Sequence, residues 1–205
     1  MEGLGRTQIP ILMKYRSVLL FGAPGAGKGT QGKILGTIPN FFHCACGDVF
    51  RTLTANSPIG RIFIEYSGRG ELVPDAPTVQ LWQQFIENST KIGRFHPESD
   101  TLVLDGIPRN ENQAEILKDT LDVQAVFYLR SPNVESLVER LQRRALHENR
   151  LDDANLEIIR ERMNTYERET KPVLNFYGEK LVHQIDSSQT PAKVLCDILW
   201  HIAQL

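Results

Sequence analysis

The stretch Gly22-Ala23-Pro24-Gly25-Ala26-Gly27-Lys28-Gly29-Thr30 constrains what this chain can fold into more than any other segment. It follows a short apolar run, Ser17-Val18-Leu19-Leu20-Phe21, and precedes a segment with helical character. A strand, a glycine-rich turn and a helix in that order aim backbone N–H groups at one anion, with the helix dipole behind them. Lys28 adds a mobile charge for the outer phosphates of a nucleotide. The general P-loop pattern places Ser or Thr directly after that lysine. Here Gly29 takes the position and the hydroxyl follows one residue later, at Thr30.

The rest of the chain predicts an α/β fold. Apolar runs suited to buried parallel strands recur at Ser17–Phe21, Phe41–Cys44, Thr101–Asp105, Val123–Leu129 and Leu181–Ile185. Between them, Val134, Leu137, Val138 and Leu141 keep the spacing of one helix face, as do Leu156, Ile159, Met163 and Tyr166. Val194, Leu195, Ile198 and Leu199 predict a closing helix. Alternating strands and helices imply a parallel sheet covered on both faces, with ligands beyond the strand C-terminal ends. The interval 48–95 exceeds a minimal crossover and reads as a small helical lobe, in which Asp75 is the expected N-cap after Pro74.

Composition excludes several alternatives. A net charge of −2 argues against a general nucleic-acid surface. No apolar run is long enough to cross a bilayer, so no membrane partner is expected. Cys44, Cys46 and Cys196 form no C-x-x-C pair and read as small buried residues of a protein in the reducing cytoplasm, not as zinc ligands. Residues 1–16 read as a lead-in to the first strand.

Eight of the fifteen arginines fall between positions 130 and 168. Clustered guanidinium groups call for an anion, and their planar forks select phosphate oxygens. Arg140 and Arg144 share one helix face, Arg150 follows in a loop, and Arg160 and Arg162 flank opposite sides of the next apolar stripe. Asp105 ends a buried strand; beside a P-loop, such a carboxylate holds or orients Mg²⁺ and its waters. Gly106, Pro108 and Arg109 follow it, with Gln113 one helical turn beyond.

From about residue 17 onward the chain resembles a short-lid adenylate kinase, one of the nucleoside monophosphate kinases. The resemblance rests on Gly27-Lys28-Gly29-Thr30, on Asp105-Gly106-Ile107-Pro108-Arg109 with Gln113, on His43 to Arg51, on Gly70 to Asp75, and on the arginines near positions 140, 150 and 162. It implies a three-layer P-loop fold with a five-stranded parallel sheet, an inserted monophosphate-binding lobe at 47–76 and a short lid at 140–153. It further implies Mg²⁺, ATP and AMP as partners of a monomer, with no nucleic acid. ATP would be bound by Gly25, Ala26, Gly27, Lys28, Gly29, Thr30, Arg140 and Arg144. AMP would be bound by Cys46, Arg51, Val73, Gly106, Arg109, Gln113, Arg150 and Arg162. Lys28, Arg109, Arg144, Arg150 and Arg162 would be catalytic, and Asp105 would hold Mg²⁺ through water.

Three positions depart from the family pattern. Cys46 replaces a Thr or Ser beside the acceptor base, and Ile107 replaces an aromatic. The interval from Asp153 to Arg162 is one residue longer than the family pattern, which leaves Arg160 as a competitor to Arg162, although the spacing to Tyr166 favours Arg162. A UMP/CMP kinase on the same scaffold and a catalytically silent nucleotide sensor are the rival readings. Gln113 opposes the first, and the complete arginine set opposes the second.

Overall fold

The computed structural model describes residues 14–148, 150 and 153–205. Five parallel strands form one sheet: β1 (Tyr15–Phe21), β2 (Phe41–Ala45), β3 (Thr101–Asp105), β4 (Leu121–Arg130) and β5 (Val182–Asp186), in the order β2-β3-β1-β4-β5. Each lies where the sequence predicts one. β1 begins two residues early because Tyr15 pairs with Leu121, so Tyr15 and Arg16 belong to the sheet and not to a lead-in. Val18, Leu19, Val103, Leu104, Val126 and Phe127 are fully buried, as strands covered on both faces require.

The covering helices are α1 (Lys28–Leu35), α2 (Cys46–Arg51), α3 (Pro58–Gly68), α4 (Asp75–Lys91), α5 (Glu111–Leu117), α6 (Val134–Glu148), α7 (Leu156–Thr165), α8 (Val173–Tyr177) and α9 (Pro191–Ile202). A π-helical turn, Tyr166–Thr170, continues α7. Ser57 caps α3 by accepting from the Gly60 N–H, with Pro58 at the first helical position. Stacked Phe50 and Phe63 rings, 5.1 Å apart, tie α2 to α3 and build the excursion between β2 and β3.

Several expectations are corrected here. Asp75 is the first residue of α4 and not its N-cap, which is Pro74. Cys44 and Cys46 are buried, but Cys196 is exposed. Leu156 stands at the exposed start of α7, so the buried face of that helix begins at Ile159. The lid segment is helical up to Glu148, as the last turns of α6. Its residues Asn149, Leu151 and Asp152 lie outside the described residues. No helix among the described residues is long and apolar enough to cross a membrane.

Candidate active site

Gly25 and Gly27 take φ values of 83° and 97°, in the left-handed region that L side chains avoid. A Cβ on Gly25 would also lie 2.8 Å from the Leu137 carbonyl oxygen, because the loop packs directly against α6. The resulting turn starts α1 at Lys28 and leaves the loop open on its outer side. The Lys28 ammonium folds back and donates to the carbonyls of Gly22 (2.7 Å) and Ala23 (3.2 Å). Burial lowers its pKa to about 8; Asp105 opposes that shift, while Arg109, Arg144 and Arg162 add to it.

At the C-terminal end of β3 the chain turns through Gly106 (φ 82°) and a cis Ile107–Pro108 peptide. Ile107 is buried in the core, so the departure from an aromatic there is a matter of packing. Arg109 is held at its root: its Nε donates to the Gly106 carbonyl oxygen at 2.9 Å. Its backbone N–H donates to Gln113 Oε1 at 2.8 Å. Gly47, at the start of α2, clears the space these groups need. A Cβ there would lie 3.2 Å from Arg51 Nη1 and 3.6 Å from Arg109 Nη2.

The arginines are gathered by carboxylates that sequence reasoning did not assign. Asp153 is fully buried and receives Arg144 at 2.6 Å together with a close contact from Arg162. Asp48 Oδ1 lies 3.2 Å from both Arg51 and Arg150, and Arg150 also meets Glu148 at 2.6 Å. Guanidinium groups crowded this closely repel one another unless carboxylates are interposed. The signal was present: an arginine cluster needs counter-ions, and Asp48 and Asp153 lie inside the same motifs. Arg162 lines both cavities from α7, whereas Arg160 is exposed and is not among the lining residues of either.

Two cavities open beyond the strand ends. The first, about 1060 Å³, is bounded by α2, α3 and α5 and has apolar walls from Phe50, Phe63 and Leu72. Cys46, Arg51, Val73, Gly106, Arg109, Gln113 and Arg162 all line it. The second, about 1570 Å³, contains Gly25 to Thr30, Asp105, Arg140 and Arg144. Arg150 lines this second cavity and not the first, a different placement from the one the resemblance implies. Lys28, Arg51, Arg109 and Arg162 line both. A wall of cations therefore stands where the two cavities meet.

Cys46 is 2% exposed, and burial pushes its thiol up to about 11, so it presents a neutral, weakly polar wall. Arg140 donates to the Ser187 carbonyl oxygen at 3.3 Å, and both residues line the second cavity. The Asp75 carboxylate accepts from the side-chain amides of Asn110 (2.8 Å), Asn112 (2.7 Å) and Gln113 (2.8 Å). Burial disfavours its charge, and the three donors outweigh that, so its carboxyl titrates below the usual range. Among the described residues, no group of three or more His, Cys, Asp or Glu side chains could cage a metal.

The family model for adenylate kinase matches residues 20–182. The chain belongs to the adenylate kinase family. It is 37% identical over 198 residues to an adenylate kinase of Cyanothece sp., spanning 92% of this chain and 95% of that one. It is 35% identical over 181 residues to that of Porphyromonas gingivalis (85% and 89%) and 31% identical over 219 residues to that of Halobacterium salinarum (91% and 96%). As a member of this family the chain is a phosphotransferase, a nucleoside monophosphate kinase with adenylate kinase activity.

Proposed function

We propose that this enzyme transfers the γ-phosphoryl of ATP to AMP, reversibly, giving two ADP, with ATP in the P-loop cavity and AMP in the cavity beneath α2 and α3. The observation that carries the reading is the cationic junction of Lys28, Arg51, Arg109 and Arg162 between the two cavities. An AMP phosphate oxygen is already a competent nucleophile, so no covalent enzyme intermediate is needed, and catalysis is positioning plus charge neutralisation. Lys28 and the loop amides hold the donor phosphates. Arg51 and Arg109 aim the acceptor phosphate, while Arg144, Arg150 and Arg162 neutralise the transferring group. Gln113 reads the acceptor base, and Arg140 lies against the donor base.

Asp105 is suited to Mg²⁺. Its carboxylate lies 3.6 Å from the position of a Cβ on Gly29, in the same cavity as the exposed Thr30. A single carboxylate beside a phosphate loop, without a protein cage, matches a hard cation that keeps its waters and takes its other ligands from the nucleotide. When bound, the ion would offset the charge of the β- and γ-phosphates. Residues 47–76 and 140–153 act as closing lobes that keep water from the transferring phosphoryl. The protein works as a monomer without nucleic acid, and its unbridged cysteines suit the cytoplasm.

A coupled assay with ATP and each monophosphate tests the reading. AMP is expected to exceed UMP and CMP in kcat/KM by on the order of 10²-fold or more, because a site built to hydrogen-bond one base leaves its polar groups unpaired against another. Comparable rates with UMP or CMP would move the assignment to the pyrimidine kinases.

The lowered pKa of Lys28 gives a second test. With a pKa near 8, the free enzyme carries mostly neutral Lys28 at pH 8.5, and bound polyphosphate favours the ammonium. ATP binding at pH 8.5 is expected to take up as much as about 0.7 proton, and almost none at pH 6.5. Calorimetry in two buffers of different ionisation enthalpy reads this directly. Lys28→Met should abolish the uptake; a wild-type enzyme without uptake would refute the assignment.

A further inference from the structure

An amide side chain reads a base edge ambiguously, because exchanging its oxygen and nitrogen reverses the pattern of donor and acceptor. Adenine presents a donor at position 6 and an acceptor at N1; a 6-oxopurine presents the reverse. A freely flipping Gln113 would accommodate both. Gln113 is not free to flip. Its Oε1 accepts from the Arg109 backbone N–H at 2.8 Å, and its Nε2 donates to Asp75 Oδ1 at 2.8 Å. A backbone N–H is only a donor and a carboxylate is only an acceptor, so each partner tolerates one amide orientation. Reversing the amide would face N–H against N–H and oxygen against carboxylate, with the side chain fully buried. One N–H and one lone pair of Gln113 remain for a ligand, in the cavity that Gln113 lines.

We propose that Asp75 is a specificity-positioning residue: its carboxylate locks the amide orientation of Gln113 and so sets the discrimination between 6-aminopurine and 6-oxopurine monophosphates. Asp75 acts only through Gln113 and touches no reacting group. The tie also joins the two halves of acceptor recognition, since the N–H that holds Gln113 belongs to Arg109. Asn110 stabilises the arrangement from the side. Its Nδ2 donates to the same Asp75 oxygen, and its Oδ1 accepts from the Gln113 backbone N–H at 2.8 Å, capping α5. The inference rests on reading this cavity as the AMP base site.

Inosine monophosphate is the discriminating probe. It differs from AMP in the polarity of the edge at positions 6 and 1 and adds no 2-amino group. The wild-type enzyme is expected to favour AMP over inosine monophosphate in kcat/KM by about tenfold or more, the scale of a bidentate base contact. Asp75→Ala should reduce that ratio about tenfold, by improving the oxo substrate as well as weakening AMP, with KM for ATP unchanged. Asp75→Asn should keep most of the ratio, because its amide oxygen still accepts from Gln113 while the exposed Asn112 turns. Asn112→Ala, which loses only a bond to the other Asp75 oxygen, should match wild type.

A general loss of fold or charge would lower both substrates together and would not be rescued by Asn. An unchanged ratio in an active Asp75→Ala enzyme overturns the proposal. So do equal wild-type rates with the two purines, a result independent of whether the variant folds. Failure of the wild-type enzyme to phosphorylate AMP at all would instead defeat the AMP reading itself.

Discussion

Arg109→Ala is expected to lower kcat/KM for AMP by about 10³-fold or more while leaving KM for ATP within about threefold of wild type. An arginine that binds and aims the acceptor phosphate beside the transferring phosphoryl should act on the scale of an arginine finger, about 10³–10⁵ in rate. Arg109 stands at the junction of the two cavities, with its Nε anchored on Gly106 and its Nη2 close to Gly47. The backbone N–H that holds Gln113 is untouched by the change, so base recognition survives and the loss isolates the phosphate contact. Arg109→Lys should recover little, because the ammonium keeps the charge and loses the bidentate fork. Steady-state kinetics with each substrate varied separately, on protein checked by circular dichroism, decides the matter. Equal damage to both substrates would mean that the two half-sites are wrongly divided.

Asp153→Ala should produce the largest loss of stability among site substitutions. Its carboxylate has no solvent exposure and is shared by two guanidinium groups, which keep 29% and 20% of their side-chain surface exposed. Removing one partner of a buried ion pair leaves the other uncompensated. Allowing for the partial exposure of the arginines, we expect a loss of about 2–3 kcal/mol. For a chain of this size that is a Tm lowered by roughly 5–10 °C. Saturating ATP should restore more stability to the variant than to the wild type, because its phosphates supply the missing negative charge. A Tm within about 2 °C of wild type would show that Arg144 and Arg162 do not depend on Asp153.

The strands and the P-loop were legible because both are local. β1 and β3 announce themselves as continuous apolar runs, and the left-handed turns at Gly25 and Gly27 demand glycine wherever they occur. The cationic side of the site was legible too, since Arg109 and Gln113 stand one helical turn apart and Arg140 and Arg144 share a face. Of the counter-ion contacts, the one out of reach of any local reading is Asp48 with Arg150, which meet across 102 residues of chain. No local pattern encodes that distance. Asp75 was misread for the opposite reason: its position after Pro74 suits a cap, and only the folded arrangement of α4 and α5 brings three amides to it. Arg160 and Arg162 are two residues apart on one helix, and such neighbours point in nearly opposite directions. Only the seating of α7 selects between them.

The carboxylates set among the arginines have a consequence for an enzyme surrounded by inorganic phosphate and other small anions. An anion that reaches for Arg51, Arg144, Arg150 or Arg162 competes with Asp48 or Asp153, which already hold them. One small anion replaces one partner at a time and gains little by the exchange. A pair of nucleotides brings several phosphate oxygens to the shared wall at once, with two bases anchored elsewhere, and can displace the internal partners together. Built-in anions thus act as a threshold that favours a full complement of substrates over partial occupancy.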